Sequence, residues 1–145
     1  MTPTGIYGFG DTMYGVSAVP PNDNGYGYVQ LTCGSWWDEQ PGTAQYNEFV
    51  QLPCGVTPSW APESEALWTE AQPYPHFAVI EYNPPPNYPD GDGGAGIFFH
   101  LDTTAGYTEG CVANPSADLN WALAWMSPAA DPHIVIGVPS EMDGF

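Results

Sequence analysis

Residues 96–127 read GIFFHLDTTAGYTEGCVANPSADLNWALAWMS, and this stretch decides the fold. Its opening, Gly96-Ile97-Phe98-Phe99-His100, is a short apolar run beside glycine, which predicts a buried strand. Its end predicts a helix over 115–127. Asn114 suits the N-cap, and Pro115 suits the first helical position, where its missing N–H costs nothing. Leu119, Ala122, Leu123 and Met126 fall at i, i+3, i+4 and i+7, a stripe that should face the core, and Pro128 stops the helix. Trp121 and Trp125, at i and i+4, are expected to join that core.

Working outward, strands are expected at 77–82 (FAVIEY), 133–138 (HIVIGV), 28–32 (YVQLT) and, shorter, 48–52. A short helix is expected at 63–71, with Pro62 near its start and Pro73 beyond its end. Residues 2–27 are rich in Gly and Pro, with apolar pairs too short for a helix. Most of 33–53, which holds the tandem Trp36-Trp37, reads as loop, and so does 83–95, whose prolines cannot donate to a ladder. Trp36, Trp37 and Trp60 are then loop residues that could wall a cleft. No repeat, linker or second domain is visible. The chain reads as one mostly β domain over residues 1–145 with one substantial α-helix.

The 145 residues include 17 Asp+Glu and no Lys or Arg, for a formal charge of -17, where an average chain this long carries about 16 basic residues. Nucleic-acid binding is excluded, because phosphate contacts need cations. No apolar run reaches the length of a membrane span, and 1–10 lacks a charged start and apolar run, so neither membrane insertion nor a signal segment is expected. The 43% hydrophobic content argues for a folded core despite 17 Gly and 17 Pro. With no basic partner, nearly all carboxylates are expected at the surface.

Two residues carry chemistry. His100 ends the apolar strand, and Cys111 sits in the turn Thr108-Glu109-Gly110-Cys111, just before the expected N-cap. A thiol near a helix N-terminus feels a positive potential that favours thiolate, while Glu109 opposes it. An imidazole beside it would act as base, and Gly110 would let backbone amides face an oxyanion. The plainer alternative is a Cys and a His unrelated in space. His76 and His133 read as structural. Three His and three Cys at no ligand spacing argue against a zinc site. Asp90-Gly91-Asp92-Gly93-Gly94 hints at a calcium loop but lacks the later ligands, so it reads as a solvated turn.

Taken together, Ile97-Phe98-Phe99-His100, Thr108-Glu109-Gly110-Cys111-Val112-Ala113, the following helix and His133-Ile134-Val135-Ile136-Gly137 resemble the L,D-transpeptidase (YkuD-like) catalytic domain, in its secreted actinobacterial-type branch. Thr2-Pro3-Thr4-Gly5, Tyr46-Asn47 and the strand ending at Tyr82-Asn83 extend the likeness over nearly the whole chain. Glu109 and Ala113-Asn114 stand where the commoner motif has His and Arg.

The resemblance implies a β-sandwich or barrel with a helix after the nucleophile. The domain would begin inside the family's boundary, short of its N-terminal strands, which would leave sheet edges open to self-assembly. Cys111 is then expected to attack a peptidoglycan stem peptide, with His100 as base, held by a backbone carbonyl near Leu101. The amides of Gly110 and Cys111 would form part of the oxyanion hole, and Thr108 would shape the pocket. An amine acceptor would complete a cysteine acyltransferase reaction with no metal or organic cofactor, in a secreted or cell-envelope protein. Water as acceptor would make the same dyad an L,D-carboxypeptidase, and a silent relative would be an acidic structural protein. On this reading Cys111 stays free and Cys33 pairs with Cys54, a bridge allowed outside the cytoplasm and worth roughly 3 kcal/mol. Two buried free thiols are the alternative.

Overall fold

The computed structural model describes residues 1–86, 93–138 and 140. Most of the strands expected at 77–82, 96–100, 133–138, 28–32 and 48–52 form, in trimmed versions: β7 (Phe77–Ile80), β8 (Phe98–Leu101), β10 (Ile134–Ile136), β3 (Gly27–Gln30) and β5 (Glu48–Gln51). Five further strands complete the set among the described residues: β1 (Gly5–Tyr7), β2 (Phe9–Gly15), β4 (Ser35–Asp38), β6 (Glu65–Ala66) and β9 (Val112–Asn114). They build a five-stranded sheet in the order β3-β2-β7-β8-β9, a three-stranded sheet β5-β4-β6 and the pair β1-β10. The chain is mostly β, with one α-helix among the described residues, α1 (Ser116–Trp125).

The five-stranded sheet is covered on both faces, and period-2 alternation assigns its side chains to each. Met13 and Ala78 point to one face, where Leu119, Leu123 and Met126 of the helix region close a core. Phe77 and Phe98 point to the other, against Trp37, Leu67, Tyr74 and Leu31. The layers therefore run helix, sheet, sheet. Leu119 and Leu123 are fully buried, each contributing about 1.5–3 kcal/mol by leaving water.

Several expectations are corrected. The Gly- and Pro-rich segment 2–27, where no strand is expected, holds an interior one: β2 is paired with β3 and β7, and a bulge between Phe9 and Met13 breaks its register. Its Gly15 is required by close approach, since a Cβ there would strike the Pro75 carbonyl. Trp36 and Trp37 are not loop residues but lie in β4, buried at 7% and 4% exposure. Trp36 packs edge-on against Trp60 and Trp68, and Trp37 against Phe98. The helix expected at 63–71 is instead a 3-10 turn (Ala61–Glu63), the two-residue β6 and a second 3-10 turn (Leu67–Thr69). Asn114 does not cap the helix: it pairs with Leu101 across β9, and Pro115 stands at the N-cap with no side-chain hydrogen bond.

The indoles Trp121 and Trp125 are 69% and 60% exposed and stack in parallel at 6.0 Å, on the outer side of α1. The expected core role fails because the buried stripe Leu119–Leu123 takes the inner side of a ten-residue helix. Among the described residues one carboxylate, that of Asp38, is fully buried. Asp38 accepts hydrogen bonds from the Thr43 hydroxyl at 2.7 Å and the Gln40 amide at 2.9 Å, which replace the hydration it loses. The Asp90–Asp92 turn lies outside the described residues.

Candidate functional site

β8 and β9 run parallel, with Phe99 opposite Val112 and His100 opposite Ala113. Paired residues share a face and neighbours alternate, so Cys111, just before β9, lies on the face of Phe98 and His100. A two-residue offset on adjacent strands places the Cys111 and His100 Cα atoms on the order of 8 Å apart. The loop that returns the chain from β8 to β9 walls a cavity of about 1000 Å³ lined by both residues, with Thr108, Tyr74, Glu39, Glu65 and Glu109 among its other walls.

The imidazole is 6% exposed, and its Nδ1 meets the Leu101 carbonyl oxygen at 2.8 Å. That contact calls for N–H at Nδ1 and leaves Nε2 as the acceptor. Burial lowers the His100 pKa below its ordinary value, against smaller upward pulls from the Leu101 carbonyl and Asp102, so the ring is neutral at pH 7. The Cys111 thiol donates to the Gly96 carbonyl at 3.3 Å and accepts from the Phe98 amide at 3.3 Å. Its hydrogen bonds go to backbone rather than to the imidazole. Burial pushes its pKa up to about 12. The carboxylates of Glu65, Glu39 and Glu109 add to the rise, and the Phe98 N–H opposes it. The expectation of a dipole-stabilised thiolate is therefore corrected: β9 separates Cys111 from the helix, and burial dominates, with the acidic neighbours adding to it. The resting pair is thiol and neutral imidazole.

Of the other expected site residues, Thr108 donates from its hydroxyl to the Cys111 carbonyl at 2.7 Å, closing the turn beneath the thiol. Gly110 is buried, and its φ of +149° strains any other residue, while a Cβ there would also press on Ile97 Cδ1 at 2.8 Å. Cys33 and Cys54 form a disulfide, Cα atoms 5.1 Å apart, while Cys111 is free. The bridge lies away from the cavity, as do Trp36, Trp37 and Trp60, which do not line it. Nor do His76 and His133 line it. Their rings bond the carbonyls of Val19 and Asp131.

Two contributors escape sequence reasoning from the residues. Asn47, 8% exposed and at φ +60°, accepts from the Trp37 indole and the Gly96 amide at 2.9 Å each and donates to the Asn83 carbonyl at 2.7 Å. It thereby fixes the residue whose carbonyl holds the thiol. The Tyr46-Asn47 pair marked the position but not this task. The second is Glu65, hidden by its placement in an expected helix. Among the described residues no group of three or more His, Cys, Asp or Glu is arranged to hold a metal ion, and no helix is long and apolar enough to cross a membrane. No protein-family model, curated protein or solved structure matches the chain.

Proposed function

We propose that the chain is a cysteine acyltransferase of the L,D-transpeptidase kind, working on peptidoglycan stem peptides outside the cytoplasm. The observation that carries this reading is the pairing of a free thiol and a neutral imidazole on one face of adjacent parallel strands, lining a single cavity, with Nδ1 anchored and Nε2 available. The disulfide is compatible with a secreted protein.

Because the resting thiol is protonated, His100 acts as a general base during attack rather than as partner to a stored thiolate. The thiol leaves its Gly96 contact and gives its proton to Nε2. Sγ bonds to the carbonyl carbon of the donor peptide, and the oxyanion is met by the Cys111 amide in the turn that Gly110 permits. The imidazolium returns the proton to the departing D-amino acid nitrogen as the C–N bond breaks, leaving a thioester. The amine of a second stem peptide then attacks, His100 takes its proton, and the thiol is regenerated as the new amide forms.

Incubation with a carbapenem tests the reading, since the strained lactam acylates such a thiol without a leaving group. Intact mass spectrometry should show one adduct on the native chain and none on Cys111→Ala. No adduct on the native chain, or an undiminished one on the variant, refutes it. The acylation rate should fall as pH drops, with a midpoint below the ordinary histidine value, because protonated His100 cannot accept the proton.

A further inference from the structure

We propose that Tyr74 and Glu65 form a strut that holds the His100 imidazole in its working orientation, which makes both positioning residues of the proposed cysteine site. The Leu101 contact fixes the tautomer of His100 and anchors the ring at Nδ1. Tyr74 adds a second hold on the ring itself. Its ring stands edge-to-face against the imidazole, centroids 5.5 Å apart at 85°.

Tyr74 is itself held on three sides. Phe77 and Phe98 contact its ring at 4.7 and 5.9 Å, and its hydroxyl donates to Glu65 Oε1 at 2.7 Å. Its neighbour Pro73 accepts from the Leu101 amide at 3.2 Å, tying the Tyr74 segment to the strand that carries the base. Glu65 is rigid for a separate reason: it pairs with Trp37 in the three-stranded sheet. The strut therefore joins the second sheet to the imidazole of the first.

Tyr74 is 5% exposed, so its hydroxyl needs a partner, and Glu65 supplies the acceptor. The titratable groups that line the cavity with His100 are Asp102 beyond the end of its strand, Tyr107, Glu109 and Cys111 before β9, and Glu39, Glu63, Glu65, Glu70 and Tyr74 from other segments.

The inference rests on the cysteine-enzyme reading, and its test uses two readouts. The first is the rate of carbapenem acylation against pH, and the second is the His100 ring titration followed by NMR, which needs no activity. Glu65→Gln keeps an acceptor for the Tyr74 hydroxyl and removes the charge, so its ring titration should match that of the native chain and its acylation rate should not fall. Glu65→Ala and Tyr74→Phe cut the hydrogen bond and should slow acylation several-fold. Tyr74→Leu removes the ring contact, should slow acylation at least tenfold, and should move the His100 midpoint up towards the ordinary histidine value as water reaches the ring.

Loss of folded protein alone would leave the midpoint of the surviving fraction unchanged. A native midpoint in Tyr74→Leu, or equal losses in Glu65→Gln and Glu65→Ala, overturns the proposal. If Tyr74→Leu does not fold, the two Glu65 variants decide it. If the native chain is not acylated at all, the function reading fails, and the NMR titrations still decide the strut.

Discussion

Acidification from about pH 8 to about pH 5 is expected to stabilise this fold, the reverse of ordinary behaviour. Burial first, and nearby carboxylates second, push both Glu39 and Glu65 from 4.5 up to about 7. A carboxyl raised in this way holds a proton in the folded state that the unfolded chain has released. Its stabilising effect is complete below the unfolded value and is lost as pH climbs through the folded one. At 1.36 kcal/mol per unit, a shift of this size is worth about 3 kcal/mol for either group, and less than twice that for both because their repulsion is shared. His100 has the opposite sign: its lowered value makes folding less favourable as pH falls below its unfolded range. The net gain per pH unit is therefore smaller below the ordinary histidine value than the two carboxyls alone would give. Urea midpoints measured across this range should fall from pH 6 to pH 8 in the native chain. In Glu39→Gln/Glu65→Gln the slope should flatten, with stability at pH 8 about 2–3 kcal/mol above native. A native midpoint that climbs steadily to pH 8, or a double variant that keeps the full slope, refutes the reasoning.

Added salt should raise the melting temperature, because it screens self-repulsion at -17, and a flat profile from low to moderate salt in a thermal scan would contradict this. Reduction of Cys33–Cys54 should cost roughly 3 kcal/mol in a urea titration, and alkylation of the unreduced, denatured chain should label Cys111 alone. Leu123→Ala opens a cavity between α1 and the sheet and should cost about 2–5 kcal/mol by the same titration. Asn47→Ala strands the Trp37 indole and the Gly96 amide, so it should lower stability by about 1–3 kcal/mol for each donor and displace the carbonyl that holds the thiol, which acylation kinetics would register.

The legible parts of the fold were those where pattern and tertiary environment agree. The runs that became β7, β8 and β10 are apolar because they are interior or paired, and the Leu119–Leu123 stripe is apolar because it meets the sheet. What escaped lacked such a pattern. β2 hides between glycines, and only Met13 signals its buried face. β4 is buried on both faces over four residues, so no alternation marks it, and β6 has two residues. Cys111 and His100 could be singled out from residue type and surroundings. Their shared face follows from a parallel pairing with the three-residue β9, which the cap-like Asn114-Pro115 obscured. Asn47, Glu65 and Tyr74 act through contacts between segments distant in sequence, which no local reading contains.

The pairing of β1 with β10, Gly5 opposite Ile136, governs how this chain must be assembled. During synthesis the first strand emerges long before its partner exists, and β2 likewise waits for β7. Loop-closure entropy sets these contacts late, so folding should be slow. Throughout that interval unpaired strand edges are open to neighbouring chains. The absence of every lysine and arginine then has a use during folding itself: half-built copies of one uniform sign repel each other until their edges are closed.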